Sequence, residues 1–311
     1  MRKLQFVCSH TLGAYPFHGQ AFLYNTTPYL SLKAEKFGQP IVFFALDNKV
    51  AVARICFFLI EQSDNSYQAV SLPESPFGSL EYGCVSSSEL IAFMGYVMSS
   101  LQQRNVKKVV INDCIEAYRN TVPLPIREVF AITGFCEAES FPNHHIEIVS
   151  TPLEENIHLM EKRRLKKCHN KGFTFEQNEV SFLSDYYHFL QQCRSQKGQS
   201  LSLSYKEVEQ QAYYLNNEFR LFSVFYRSER VAAALCIQVS ANILYVFYPG
   251  YSQVYRGFSP TVMLIAGIYS YCQKYSIDLL DLGTSHQQSL MRFKSHMGGQ
   301  ASKKKSYQIN Y

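Results

Sequence analysis

The chain has 311 residues, 47% of them hydrophobic, and 30 Lys and Arg against 25 Asp and Glu, a net charge of +5. This is enough apolar material for one large core or two smaller ones, and too slight a charge to argue for a DNA-binding protein. Nine scattered cysteines without a C-x-x-C pair exclude a zinc knuckle and a disulfide framework. Free thiols in that number fit a cytoplasmic protein, and no apolar run approaches the roughly 18 residues of a membrane span.

Residues 40–60, PIVFFALDNKVAVARICFFLI, read as two strands joined at Asp47-Asn48, a pair of turn formers between β-rich runs. YQAVSLP supplies a third strand. A Pro/Gly/Ser-rich turn, ESPFGSLEYG, then leads into a helix, SSSELIAFMGYVMSSLQQRN, whose serines can cap its start. A short strand, KKVVIND, a helix around 115–132 and a strand near 144–150 complete this half. A basic amphipathic helix follows over 153–171. Ile157, Met160, Leu165 and Cys168 lie along one face, with Lys162, Arg163, Arg164, Lys166 and Lys167 opposite, and Gly172 stops it. Two further helices occupy 181–217.

Residues 219–311 then repeat the order of the first half. A hairpin pivots on Ser228-Glu229-Arg230, NILYVFYPGY is the third strand, and YRGFSP is the turn. The helix TVMLIAGIYSYCQKYS, the short strand IDLLDLG, a helix in SHQQSLMRFKSHMGG and a closing strand in ASKKKSYQINY follow. Equivalent elements stand roughly 170 residues apart, which indicates duplication of a whole fold rather than a short-repeat solenoid.

Three stretches, EKRRLKKCHNKGF, GFSPTVMLIAGIYSYCQKYSIDLLDLG and LMRFKSHMGGQ, together with this order of elements, resemble the FemAB-like, or BioF2-like, branch of the GNAT acyltransferase superfamily. The resemblance implies an α/β fold with mixed sheets, built as two tandem GNAT-like domains. The first, 1–151, would serve the acceptor. The second, 152–311, would serve the acyl donor. It also implies acyl transfer onto the amine of a small molecule or peptide in a cleft between the domains. The donor is acyl-CoA in GNAT proteins and aminoacyl-tRNA in the peptidoglycan-bridge FemAB enzymes. Those enzymes often carry a coiled-coil arm that has no counterpart here, so acyl-CoA is the expected cosubstrate, with no metal, and tRNA is the alternative partner.

The start of a helix presents unpaired N–H groups and partial positive charge, which suit a diphosphate. The family turn, R/Q-x-x-G-x-G/A, corresponds here to Arg256-Gly257-Phe258-Ser259-Pro260-Thr261, so Arg256, Gly257, Ser259 and Thr261 are the expected donor-binding residues. Ser259 and Thr261 stand where glycine or alanine is usual. This leaves open an ordinary Ser-Pro helix start in a degenerate binding protein. Splaying of strands four and five, with Pro249-Gly250 at the bend, would free backbone N–H groups to polarise the donor carbonyl.

No Glu lies on strand four. The proton-transfer candidates are Tyr248, Tyr251 and Tyr255 near its end, with Asp281 and His286 at the end of strand five. Of these, Tyr248, Tyr255 and Asp281 are the expected catalytic residues. Tyrosine, with a pKa near 10, suits protonation of a leaving thiolate. Arg164 and Lys294 are expected to grip a phosphate-bearing acceptor or tRNA, and Glu81 and Tyr82 to line the acceptor side. His144 and His145, adjacent on a strand, face opposite ways and do not chelate together.

Overall fold

A computed structural model describes residues 2–119 and 125–311 of the protein. The chain forms two compact units, Met1–Phe141 with Lys303–Tyr311, and Pro142–Ser302. In chain order the first unit begins with β1 (Gln5–Ser9), α1 (Thr27–Phe37), β2 (Ile41–Asp47), β3 (Val50–Glu61), β4 (Tyr67–Ser71), β5 (Glu81–Tyr82), α2 (Ser87–Gln102), β6 (Val106–Asn112) and α3 (Ile126–Ile132). The strand β7 (Cys136–Glu147) leads into the second unit. This continues through α4 (Leu153–Asn156), α5 (Leu159–Asn170), β8 (Thr174–Asn178), α6 (Leu183–Ser195) and α7 (Tyr205–Tyr214). Next come β9 (Phe219–Tyr226), β10 (Glu229–Ser240), β11 (Ile243–Tyr251), α8 (Pro260–Lys274), β12 (Leu279–Thr284) and α9 (Gln288–His296). The strand β13 (Gln300–Asn310) returns to the first unit.

The expected duplication is visible in the strand pairing. The first unit orders its strands β1-β2-β3-β4-β6-β13 and the second β8-β9-β10-β11-β12-β7. In both, the first three pairings are antiparallel, the fourth is parallel (β4 with β6, β11 with β12), and the last is antiparallel. Relative to a cut at residue 151, the closing strand of each half completes the other unit: Ser306–Asn310 pair with β6, and Asn143–Glu147 pair with β12.

The first hairpin turns one residue later than its sequence-expected position and the second one residue earlier, and both use the same kind of turn. Asn48 and Lys49 (φ 48° and 68°) carry the first, Arg227 and Ser228 (φ 50° and 65°) the second. Two successive positive φ values define the type I′ turn, whose twist matches that of antiparallel strands. The basic helix is also broken. Ile157 is extended, and His158 restarts the chain as α5 by accepting the Met160 N–H at 3.2 Å. At its far end Gly172, at φ +79°, ends α5 as expected. The helix around 115–132 resolves into a 3₁₀ turn, Glu116–Arg119, and α3; residues 120–124 lie outside the described residues.

Each unit has its own core. In the first, Phe43, Phe57, Phe93, Met94 and Phe130 are closed off between the sheet and α2 and α3. In the second, Phe222, Leu244, Leu264, Ile268 and Leu280 bury α8 against the sheet, with Leu165 and Cys168 of α5 on the same cluster. A fully buried side chain of this kind stabilises by roughly 1.5–3 kcal/mol. Gly267 lets α8 close onto the ring of Phe175, where a Cβ would collide.

The equivalent helices α2 and α8 start differently. Ser86 Oγ accepts the Glu89 N–H at 3.3 Å, Glu89 accepts the Ser86 N–H at 2.8 Å, and Arg2 Nε reaches Glu89 at 3.3 Å. The positive end of α2 is thereby covered by a carboxylate. Ser259, which precedes α8, sits in the left-handed region at φ 55°, ψ 54°, and its side chain makes no cap hydrogen bond. Substituting Ser86 by Ala is expected to destabilise the protein by about 1 kcal/mol. Ser259→Gly, which relieves a left-handed backbone, is expected to stabilise it by about 1 kcal/mol. Urea denaturation of both variants checks the contrast.

Candidate functional site

The turn before α8 is a 3₁₀ run, Gln253–Phe258, followed by Ser259 and by Pro260, whose missing N–H is not needed in a first helical turn. Arg256 and Gly257 are exposed, while Ser259 and Thr261 are half-buried. The last turn of α5 holds the carbonyl side of this segment. Lys167 Nζ donates to Gly257 O at 3.0 Å and lies 4.8 Å from the centroid of the Phe258 ring, and Cys168 Sγ donates to Phe258 O at 3.2 Å. Carbonyls thus face α5, and a fixed ammonium stands beside a helix start that no side chain among the described residues caps.

Beside α8 the parallel ladder is short. The strands β11 and β12 pair at Ile243–Leu279, Leu244–Leu280 and Tyr245–Asp281, and among the described residues no further pairs follow. One residue later β11 bulges. Val246 opposes Cys236 and Tyr248 opposes Leu235, leaving Phe247 as the extra residue. A bulge bends its strand and re-aims backbone groups, and this one lies two residues ahead of Pro249-Gly250, where the sequence suggested a bend. Gly250 has a different use: a Cβ there would stand 2.9 Å from Leu190 of α6.

Side chains satisfy the backbone of β12 where the ladder stops. Gly283, at φ +75°, donates its N–H to Asp281 Oδ1 at 2.7 Å, and Asn143 Nδ2 donates to the same oxygen at 2.8 Å. Lys294 Nζ donates to Gly283 O at 2.7 Å and Thr284 O at 3.1 Å. Asp281, Asn143, His145 and Lys294 are all buried. Burial lowers the Lys294 ammonium to about 8 against the opposing pull of Asp281. Burial likewise lowers the His145 imidazole, with Asp281 and Glu147 opposing, and raises the Tyr245 phenol. The Tyr245 ring lies against Gly283, where a Cβ would stand 3.3 Å from its Cε2.

The corresponding place in the first unit is filled by its own chain. Its ladder runs for five pairs, from Tyr67–Val106 to Ser71–Ile111. Asn112 then donates its N–H to Ser71 Oγ at 2.9 Å, Gly78 donates to Asn112 O at 2.7 Å, and Cys114 donates to Ser79 Oγ at 2.6 Å. Gly78 fits because any Cβ would overlap the Ser71 carbonyl.

The other residues singled out by sequence have varied surroundings. Tyr248 shares a 2.6 Å hydrogen bond with Ser202 Oγ and accepts the Leu203 N–H at 3.0 Å, tying the α6–α7 connection to β11. Tyr255 donates to Glu229 at 2.6 Å, beside the β9–β10 turn. The Tyr251 ring lies under Lys197 at 4.2 Å, and His286 is exposed. Arg164 is bound by Glu161 at 2.8 and 3.0 Å. Glu81 is buried, paired with Arg54 Nε at 2.6 Å and accepting the Phe22 N–H at 2.6 Å. Tyr82 is buried under the Arg119 guanidinium at 5.9 Å. Asp281 and Lys294 are therefore brought together at the end of β12, and Arg256, Gly257, Ser259 and Thr261 at the start of α8. Sequence reading passed over Tyr245 and Asn143. Tyr245 alternates with buried Leu244 and Val246, a pattern that would have placed it on the opposite face.

Among the described residues no three His, Cys, Asp or Glu side chains gather as a metal site, and no helix is long and apolar enough to cross a membrane.

Two units with one strand order, each splitting or filling its parallel pair beside a central helix, make a duplicated GNAT fold of the FemAB-like kind. The chain is similar to FemX (TM-score 0.75, 11% identity, covering 96% of this chain and 94% of that one). It is also similar to a tandem GNAT protein from the clavulanic acid biosynthesis pathway (0.55, 8%, 99% and 98%) and to L-PGS from Bacillus licheniformis (0.55, 11%, 89% and 85%). No protein-family profile and no curated protein matches it.

Burial pushes the Glu81 carboxyl up to about 7, with Arg54 opposing. A folded-state value above the unfolded one, near 4.3, means stability present at low pH and lost as pH rises through about 7. The melting temperature is expected to fall over that window, and Glu81→Gln to flatten the profile. Lys294→Met, which leaves two carbonyls without a donor, is expected to cost about 2–3 kcal/mol in urea denaturation.

Proposed function

We propose that the protein is an N-acyltransferase that takes an acyl group from acyl-CoA and joins it to the amine of a small molecule or peptide. The observation that carries this reading is the contrast between the two units. In the second, the side chain of Ser259 does not cap the helix and the parallel ladder stops after three pairs, next to a bulge; in the first, a capping box closes the helix start and the ladder runs for five pairs.

In this reading the donor diphosphate rests on the first-turn N–H groups of α8, with Arg256 and Lys167 supplying charge. The thioester carbonyl enters the opening past Tyr245, where N–H groups of β11 near the Phe247 bulge stabilise the oxyanion. The amine nitrogen attacks the carbonyl carbon, a C–N bond forms and the C–S bond breaks. Asp281 accepts the amine proton and returns it to the departing thiolate. Lys294 and Asn143 hold Asp281 and the end of β12 in place.

The likeness to FemX, over nearly the whole chain, favours a second reading in which aminoacyl-tRNA is the donor. The departures at Ser259 and Thr261 favour a third, a GNAT-fold binding protein without catalysis.

Thermal-shift titration with CoA, acetyl-CoA and deacylated tRNA separates the three. A CoA thioester at 100 times its dissociation constant is expected to stabilise the protein by about 2.7 kcal/mol. A shift with tRNA alone supports the second reading, and none with any ligand supports the third. Arg256→Ala is expected to weaken CoA binding by about tenfold through loss of a charge-assisted phosphate contact; unchanged affinity would remove the diphosphate from this turn.

A further inference from the structure

Helix α5 has one buried side and one side turned to solvent. Glu161, Leu165 and Cys168, spaced by four and three residues, are buried. At about 100° per residue the opposite side is the line Leu159, Arg163, Lys166 and Asn170, and all four are exposed. Leu159 is 57% exposed, and Met160 beside it 44%.

The charges that face outward on this helix are not neutralised. Its one carboxylate, Glu161, is buried and held by Arg164 at 2.8 and 3.0 Å, with His296 Nδ1 at 3.5 Å. Lys167 is turned onto Gly257 O. Lys162, Arg163 and Lys166 meet no carboxylate among the described residues. Glu154 and Glu155 belong to α4, on the far side of the break at Ile157.

A row of cations attracts an anionic surface. Aliphatic side chains in the same row gain from that contact only where an apolar layer lies beneath the charge. The stems of Lys and Arg add apolar area while their heads stay with the anions. A nucleic acid would attract the same cations but offers nothing to Leu159 and Met160, and α5 has no Tyr, Phe or Trp to stack on a base. A bilayer with anionic headgroups suits both parts of the face.

We propose that the outward face of α5 docks on an anionic phospholipid surface. Leu159 and Met160 enter below the headgroups, and Lys162, Arg163 and Lys166 contact the phosphates. Lys167 and Cys168 of the same helix hold the α8 turn, so docking brings that turn to the membrane. The surface does not depend on which donor the protein uses.

Vesicle flotation with the full chain tests it, on phosphatidylcholine alone and with about 30% phosphatidylglycerol. The protein is expected to bind the anionic vesicles about tenfold tighter or better, and to lose that preference at about 1 M salt, where the Debye length is about 3 Å. Arg163→Glu with Lys166→Glu is expected to abolish binding. Leu159→Ser with Met160→Ser is expected to weaken it about tenfold with the salt dependence unchanged. All four side chains are exposed, so both variants are expected to melt with the unaltered protein; if one melts early, the other decides. Equal binding to neutral and anionic vesicles overturns the docking surface, as does binding to neither. Full affinity in the Leu159 and Met160 variant overturns it too. Deacylated tRNA bound through Arg163 and Lys166, with the vesicles left unbound, assigns the face to RNA and also overturns the proposal.

Discussion

The ending of the β11–β12 ladder after three pairs is the constraint on which the rest of the second unit depends. Parallel strands that part leave backbone groups unpaired, and unpaired buried groups are costly. Here the cost on β12 is met by side chains. Lys294 takes the carbonyls of Gly283 and Thr284, and Asp281 takes the Gly283 N–H. The ladder thus ends one residue before the stretch in which β11 bulges. Placing Lys294 in a buried position lowers its proton affinity, and Asp281 nearby limits that effect. The two side chains therefore belong to one device.

The first unit has the same strand order without the early stop. Its parallel pair is longer, the following loop returns through Gly78 and Ser79 to fill the end, and its central helix is closed by Ser86, Glu89 and Arg2. One copy of the fold carries its parallel ladder through five pairs, and the other stops at three with Asn143, Asp281 and Lys294 gathered at the end of β12.

Much of this was legible in the sequence where the signal is local. Turn formers between β-rich runs marked both hairpins, although the residues adopting positive φ lie one position from those expected, at Asn48-Lys49 and Arg227-Ser228. Alternation with Leu280 and Leu282 set Asp281 apart from the apolar face. Other features have no local sign. The Phe247 bulge arises from a two-strand register, and the break at Ile157-His158 sits inside an otherwise continuous helical pattern. Lysine on an amphipathic helix reads as solvent-facing, so the burial of Lys294 follows only from carbonyls ten and eleven residues upstream. Tyr248 looked like a candidate because of its place in the strand, yet its hydroxyl is taken by a loop some 45 residues away.

The exchange of closing strands has a consequence for biosynthesis. The first unit gains its sixth strand from residues that leave the ribosome after position 302, so β6 must wait with a bare edge while the whole second unit is made. An exposed edge of this kind invites pairing with other chains. The apolar stretch around Val109–Ile111 is therefore a natural point for a nascent chain to need shielding, and loss of the last few residues would injure the half of the molecule synthesised first.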